Sequence, residues 1–251
     1  MGNGLRKTYV NGNSLLFFFD QNSQTFEEDV LTCTLACQLA ASRKHSAFSE
    51  FTDWHKRYSG TLTSFKCPTD YHDVQSIPLD ADESIWSRLQ RMLAKRVTAS
   101  RLAEAETAIT NMAKNDDHDA SLFLCKQTVR PDPDQGDSVL PPAAHVQSRL
   151  GDADNVTLET SEVYDVALTL GFIGAKPAMN LVLISFKSCQ PIKGLPLAEL
   201  FSSGAVIGNL EVVIICSELD DHDFGYVRQA IIEKLGSRRE ELRMKVVGAQ
   251  P

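Results

Sequence analysis

The segment from Thr25 to Lys44, TFEEDVLTCTLACQLAASRK, constrains the fold more than any other. Val30, Leu31, Leu35, Ala36, Leu39 and Ala40 recur at helical spacing with few polar neighbours, so the helix is apolar almost all round. A helix of that kind lies deep in a core and organises whatever packs around it. Thr25 and Glu28 have the spacing of a capping box, which starts the helix there and ends it near Lys44. Just before it, NSLLFFFD (13–20) is a short aromatic run bounded by turn residues, which reads as a buried strand.

The rest of the first half reads mostly as helix. Phe48, Phe51, Trp54 and Tyr58 recur at helical spacing and are expected as core anchors. GTLTSFKC (60–67) alternates well enough for a strand, and PTDYHDVQSIPLD then reads as loop with one extended piece. From Asp80, with Glu83 as a capping partner, a helical pattern presents Ile85, Leu89, Met92 and Leu93 on one face. It falters at VTAS and resumes with Leu102, Ala105, Ile109 and Met112.

After Asn115 strands are expected to dominate. ASLFLCKQ reads as a strand, and residues 129–154, rich in Pro, Gly and Asp, read as a mobile loop. VTLETSEVYDVALTLGF and MNLVLISFKS flank IGAKPA as a hairpin, and NLEVVIICSE is a further buried strand. GLPLAELFSSG is expected to form one or two helical turns. A C-terminal helix over 220–236 aligns Phe224, Val227, Ile231 and Leu235 and ends at Gly236. The expectation is an α+β fold in one domain spanning residues 1–251, helix-rich over 20–115 and strand-rich over 120–217. Its mainly antiparallel sheet packs against helices from the N-terminal half and the C-terminus, and the strand at 13–20 and GTLTSFKC can join it.

Composition excludes some classes of function. A chain of 251 residues with a formal charge of −8 lacks the excess of cations that phosphate-backbone binding needs, so no nucleic-acid partner is expected. The apolar stretches are broken by Gly and Pro before they reach membrane-spanning length, so no membrane insertion is expected. MGNGLR has Arg6 where a myristoylation motif has Ser or Thr. Six scattered cysteines form no disulfide framework, which together with the polar N-terminus points to a soluble, cytoplasmic protein.

The tetrapeptide DDHD occurs at 116–119 and again at 220–223. The second copy reads as the capped start of the C-terminal helix, and the first as a solvated turn after Asn115 closes a helix. If the two turns met, His118, Asp119, His222 and Asp223 could ligate a divalent ion, but neither copy has a recognised ligand spacing. No metal or other cofactor is therefore expected. Cys33 and Cys37, one helical turn apart, read as packing residues, and Cys67 with His72 lacks a third positioned group. GFIGAK lacks the spacing and ending of a phosphate loop.

Some metal-dependent nucleases carry an acidic residue on one strand and Glu-x-Lys on the next. Asp165 and Lys187 fit that pattern, whereas Ser185 stands where the second carboxylate belongs. No catalytic residue can be assigned. These patterns favour a non-enzymatic protein that acts through self-assembly or partner binding, as a homo-oligomer or with a protein partner. The alternative is a degenerate or divergent metal-dependent hydrolase or nuclease-like enzyme that uses Asp and His residues.

Overall fold

Strands β1 (Lys7–Asn11) and β2 (Ser14–Phe18) open the chain as a hairpin turned at Gly12. Its φ of 62° favours glycine, and the missing Cβ leaves room for the Gln38 carboxamide. Helices α1 (Gln24–Ser42) and α2 (Phe51–Ser64) follow, then β3 (Thr69–Ile77) and three more helices, α3 (Ile85–Leu93), α4 (Ala99–Ala113) and α5 (His118–Thr128). Next come β4 (Val129–Pro131), β5 (Tyr164–Ile173), β6 (Ala178–Ser188) and β7 (Val206–Glu218). Helix α6 (Asp221–Leu235), the short α7 (Arg238–Glu241) and β8 (Arg243–Lys245) complete it. The computed structural model describes residues 4–80, 83–114, 118–132, 162–192 and 194–246; most of the proposed loop at 129–154 lies outside them, and its first three residues form β4.

The strands make one sheet in the order β3-β7-β6-β5-β2-β1-β8, with β4 beside the start of β5. The sheet is mixed: β2 runs parallel to β5, Ser14 opposite Thr169 through Phe18 opposite Ile173, while the other pairings are antiparallel. Gly171 permits that parallel contact, because a Cβ there would collide with Leu16 across the pair.

Side-chain alternation divides the core in two. On the first face, Leu15, Phe17, Leu170, Phe172, Val182, Ile184 and Val212 meet helices α3, α4 and α5. On the second, Leu16, Phe18, Ile173, Leu181, Leu183 and Val213 meet α1, α2 and α6. Helix α1 is enclosed as its sequence demands, with two of its three charged residues, Glu27 and Asp29, buried too. Glu27 accepts from Lys7 Nζ at 2.6 Å, and Asp29 accepts two bonds from Arg228 at 2.7 and 2.5 Å. Its start lies earlier than the capping-box pattern predicts: Ser23 Oγ accepts from Phe26 N at 3.2 Å, so Ser23 rather than Thr25 is the cap.

Four local expectations are corrected. GTLTSFKC continues α2 as far as Ser64, because Tyr58 and Leu62 keep helical spacing and Thr61 and Thr63 return their hydroxyls to carbonyls one turn back. ASLFLCKQ is helix α5; Ala120, Leu124 and Thr128, spaced by four, are buried together with Ser121, and the Leu-Phe-Leu run concealed that period. The segment from Pro68, read as loop with one extended piece, is extended over most of its length as the nine-residue strand β3, polar because it lies at the sheet edge. GLPLAEL forms turns rather than helix in its described residues. The hairpin through Ala175 to Pro177, the helix pair α3 and α4, and α6 with Gly236 at its end stand where the patterns place them.

Candidate functional site

The second DDHD is occupied in building the start of α6. Asp220 Oδ1 accepts from the backbone amides of His222 (2.8 Å) and Asp223 (3.2 Å), and these bonds hold its carboxyl below the usual range. Asp221 pairs with Lys176, and His222 Nε2 lies 3.0 Å from the Tyr226 hydroxyl. In the first copy, Asp119 is exposed in the first turn of α5, while residues 115–117 and the turn read there lie outside the described residues. Helix α5 packs on the first face through Ala120 and Leu124, and α6 on the second through Phe224, Ile231 and Leu235. The sheet therefore separates the elements that carry His118 and Asp119 from those that carry His222 and Asp223. Among the described residues, no three His, Cys, Asp or Glu side chains are arranged to hold a metal ion.

The cysteine readings resolve into packing contacts. Cys33 Sγ lies 3.6 Å from Cys67 Sγ in the second-face core, and both thiols are fully buried. Bonding to Cys37 and burial push the Cys33 thiol well up, and bonding to Cys33 and burial do the same to Cys67. These are conditions for inert thiols rather than nucleophiles. His72, the base weighed for Cys67, instead faces the His55 ring, 5.8 Å between centroids.

Asp165 and Lys187 do meet, as cross-strand neighbours on β5 and β6. Lys187 Nζ lies 3.3 Å from Asp165 and 2.8 Å from Asp132, and the Asp132 bond raises the ammonium pKa. Ser185 has a carboxylate opposite it after all, Glu211 on β7, which accepts a hydrogen bond from Ser76 of β3. No local spacing rule could have revealed Glu211, because sheet pairing alone puts it there. Alternation places all five on the second face, with Ser76, Glu211 and Ser185 in one cross-strand row and Lys187 and Asp165 in the next. Beside these rows an open cleft of about 520 Å³ is lined by Phe48, Phe51, Lys187, Ile207, Asn209 and Glu211. Lys187 pairs with both Asp165 and Asp132, whereas Glu211 is hydrogen-bonded to the Ser76 hydroxyl.

The row ends at β3, which pairs only with β7 among the described strands and so presents its other side as an edge. Exposed edges are ordinarily blunted by charged residues, above all Lys, by Pro, by bulges or by brevity, and β3 has Asp70, Asp73 and a register shift between Thr69 and Tyr71. Within its nine residues, TDYHDVQSI, β3 has neither Lys nor Pro; Pro68 and Pro78 stand just outside it. Val74 at its centre is 52% exposed. The strand is also self-complementary: a twofold antiparallel pairing about Val74 sets Asp73 against Gln75, His72 against Ser76 and Tyr71 against Ile77. No carboxylate then faces another.

These features define a mixed-sheet α+β protein whose edge strand β3 carries Asp70 and Asp73 and a register shift between Thr69 and Tyr71, with an exposed Val74 at its centre. The chain matches no known protein-family model, and no curated protein shows significant similarity to it.

Proposed function

We propose that this chain acts by assembly, as a homodimer in which the β3 strands of two copies join edge to edge. The carrying observation is the nine-residue edge with exposed Val74 at the centre of a charge-compatible, self-complementary register. Strand addition supplies affinity through main-chain hydrogen bonds, and the side chains on alternate positions supply selectivity. A twofold axis at Val74 makes the contact self-limiting, since each copy uses its one β3 edge.

Light scattering on the purified chain is expected to give twice the chain mass. Val74→Lys, which sets two ammonium groups opposite each other at the axis, is expected to give the single-chain mass with an unchanged circular dichroism spectrum. A wild-type monomer at tens of micromolar, or a Val74→Lys variant that stays dimeric, overturns the reading. Stoichiometric bound metal that disappears in Asp165→Ala replaces it with the hydrolase alternative.

A further inference from the structure

The cleft beside Glu211 lies where the start of α2 meets the ladder of β6 with β7. Helix α2 opens without a side-chain cap, and the Glu50 carboxylate turns back to accept from the Ser46 amide at 3.0 Å. The Glu50 carbonyl accepts from Asp53 N (3.1 Å) and Trp54 N (2.9 Å), which leaves the amides of Phe51 and Thr52 without a partner among the described residues. Free amides at the positive end of a helix attract a carboxylate.

Other groups in the same cleft also lack partners. Ser185 lines it at 7% exposure, and its hydroxyl makes no hydrogen bond among the described residues. Register sets Ser185 opposite Glu211 on the face that α2 covers. Glu211 forms no ion pair among the described residues, since Lys187 is engaged by Asp132 and Asp165. One Glu211 oxygen accepts from Ser76 Oγ, which accepts in turn from Asn209 Nδ2 at 3.0 Å. That relay fixes both side chains and leaves the second Glu211 oxygen and Asn209 Oδ1 unbonded among the described residues. After Ser185 the register shifts, so that Gly208, Asn209 and Leu210 oppose Phe186 alone, and this bulge brings Asn209 to the cleft.

These groups select a zwitterion. A lone anion meets the carboxylates of Glu211 and Asp53, and a lone cation meets the helix amides. Directly opposite residues of an antiparallel pair have Cβ atoms about 5 Å apart, so the Ser185 donor and the Glu211 acceptor stand side by side. An α-amino acid carries its carboxylate and ammonium on one carbon, which matches that spacing. We infer that this cleft binds a free apolar α-amino acid. Its carboxylate accepts from the Phe51 and Thr52 amides and Ser185 Oγ, and its ammonium donates to Glu211 and Asn209 Oδ1. Its side chain packs on Phe48, Phe51 and Ile207, the last 44% exposed. The volume of about 520 Å³ lies within the range of small-ligand sites.

Leucine is the probe, titrated calorimetrically beside leucinamide, which lacks the carboxylate, and N-acetylleucine, which lacks the ammonium. Binding at one equivalent per chain is expected, with each analogue weaker by about tenfold or more, the effect of losing a charge-assisted hydrogen bond. Ser185→Ala and Glu211→Gln are each expected to weaken leucine by about tenfold while mass and circular dichroism stay unchanged. The inference is overturned if leucine fails to bind at millimolar concentration, if either analogue binds as tightly, or if neither variant changes the affinity. The analogue series uses the wild-type chain, so it decides the matter even where a variant fails to fold. Dimer formation at β3 is read separately, by mass, so either proposal can fail alone.

Discussion

The two faces of the sheet are covered by opposite means. On the first, α3 and α4 are amphipathic: their apolar stripes pack on the sheet while charges such as Arg88 and Arg91 pair with Asp80 and Glu83 near solvent. On the second, α1 is enclosed together with its charges, and Glu27, Asp29, Thr34 and the thiols find partners inside. The first face depends on volume and the second on pairing. Substitutions that change one property and spare the other should therefore separate them.

The largest effect is expected from a volume change on the first face. Phe172 is buried against Phe17 (5.6 Å between centroids), Phe19 (6.4 Å) and Trp86 (6.4 Å). Phe172→Ala should cost about 3–5 kcal/mol, read as a lowered urea midpoint at unchanged slope. A loss near 1 kcal/mol would mean that this face collapses around the cavity and is less rigid than its ring contacts imply.

On the second face the analogous break is electrostatic. Asp29→Ala strands the Arg228 guanidinium beside a buried helix; because Arg228 keeps about a third of its side chain exposed, part of that charge rehydrates and the cost should be about 2 kcal/mol. The double variant Asp29→Leu with Arg228→Leu should lose less than Asp29→Ala alone, since it removes both charges and restores packing. Equal or additive losses would show that the pair contributes only through shape.

The two faces also differ in how readily the sequence disclosed them. Amphipathic spacing located α3, α4 and α6, and the β-branched runs located β5, β6 and β7. Helix α1 was legible from its unbroken apolarity, but Arg228 and Lys7 as its ion partners were not, being distant in sequence. β3 and α5 were misread for complementary reasons: an edge strand can be polar like a loop, and a short apolar helix can mimic a strand. β1, β4 and β8 are too short to carry a period. Asp165 and Lys187 were legible as a pair, whereas Asp132 and Glu211 joined them only through strand register.

Acidity should act mainly through the second face. His55 is 3% exposed, and its Nδ1 has no hydrogen-bond partner among the described residues. Burial lowers its pKa, with the nearby His72 of β3 and Lys56 of α2 adding to the effect and Asp53 opposing it. The folded chain therefore keeps this imidazole neutral at a pH where the unfolded chain, titrating near 6.5, binds a proton. Stability contributed here is complete above about pH 7 and is lost as pH falls through 6.5 toward the lower folded value. His55→Phe should flatten the dependence of the urea midpoint on pH between 7 and 5. An unchanged slope would assign acid sensitivity to other groups.

The smallest effect is expected where pairing on the second face is incomplete. The Tyr58 hydroxyl is fully buried and has no hydrogen-bond partner among the described residues, lying among Cys33, Cys37 and Cys67, and its pKa is pushed well up by that burial. Removing the Asp29 carboxylate strands Arg228; the Tyr58 hydroxyl has no partner to strand among the described residues. Tyr58→Phe removes only an unsatisfied oxygen from an apolar, sulfur-rich surrounding, so stability should stay within about 1 kcal/mol of wild type or rise slightly. A loss above 2 kcal/mol would mean that the hydroxyl is bonded in solution, by a buried water or a thiol. The second face would then be polar-paired at every one of these positions, and the contrast with the first face would be sharper than the contacts alone imply.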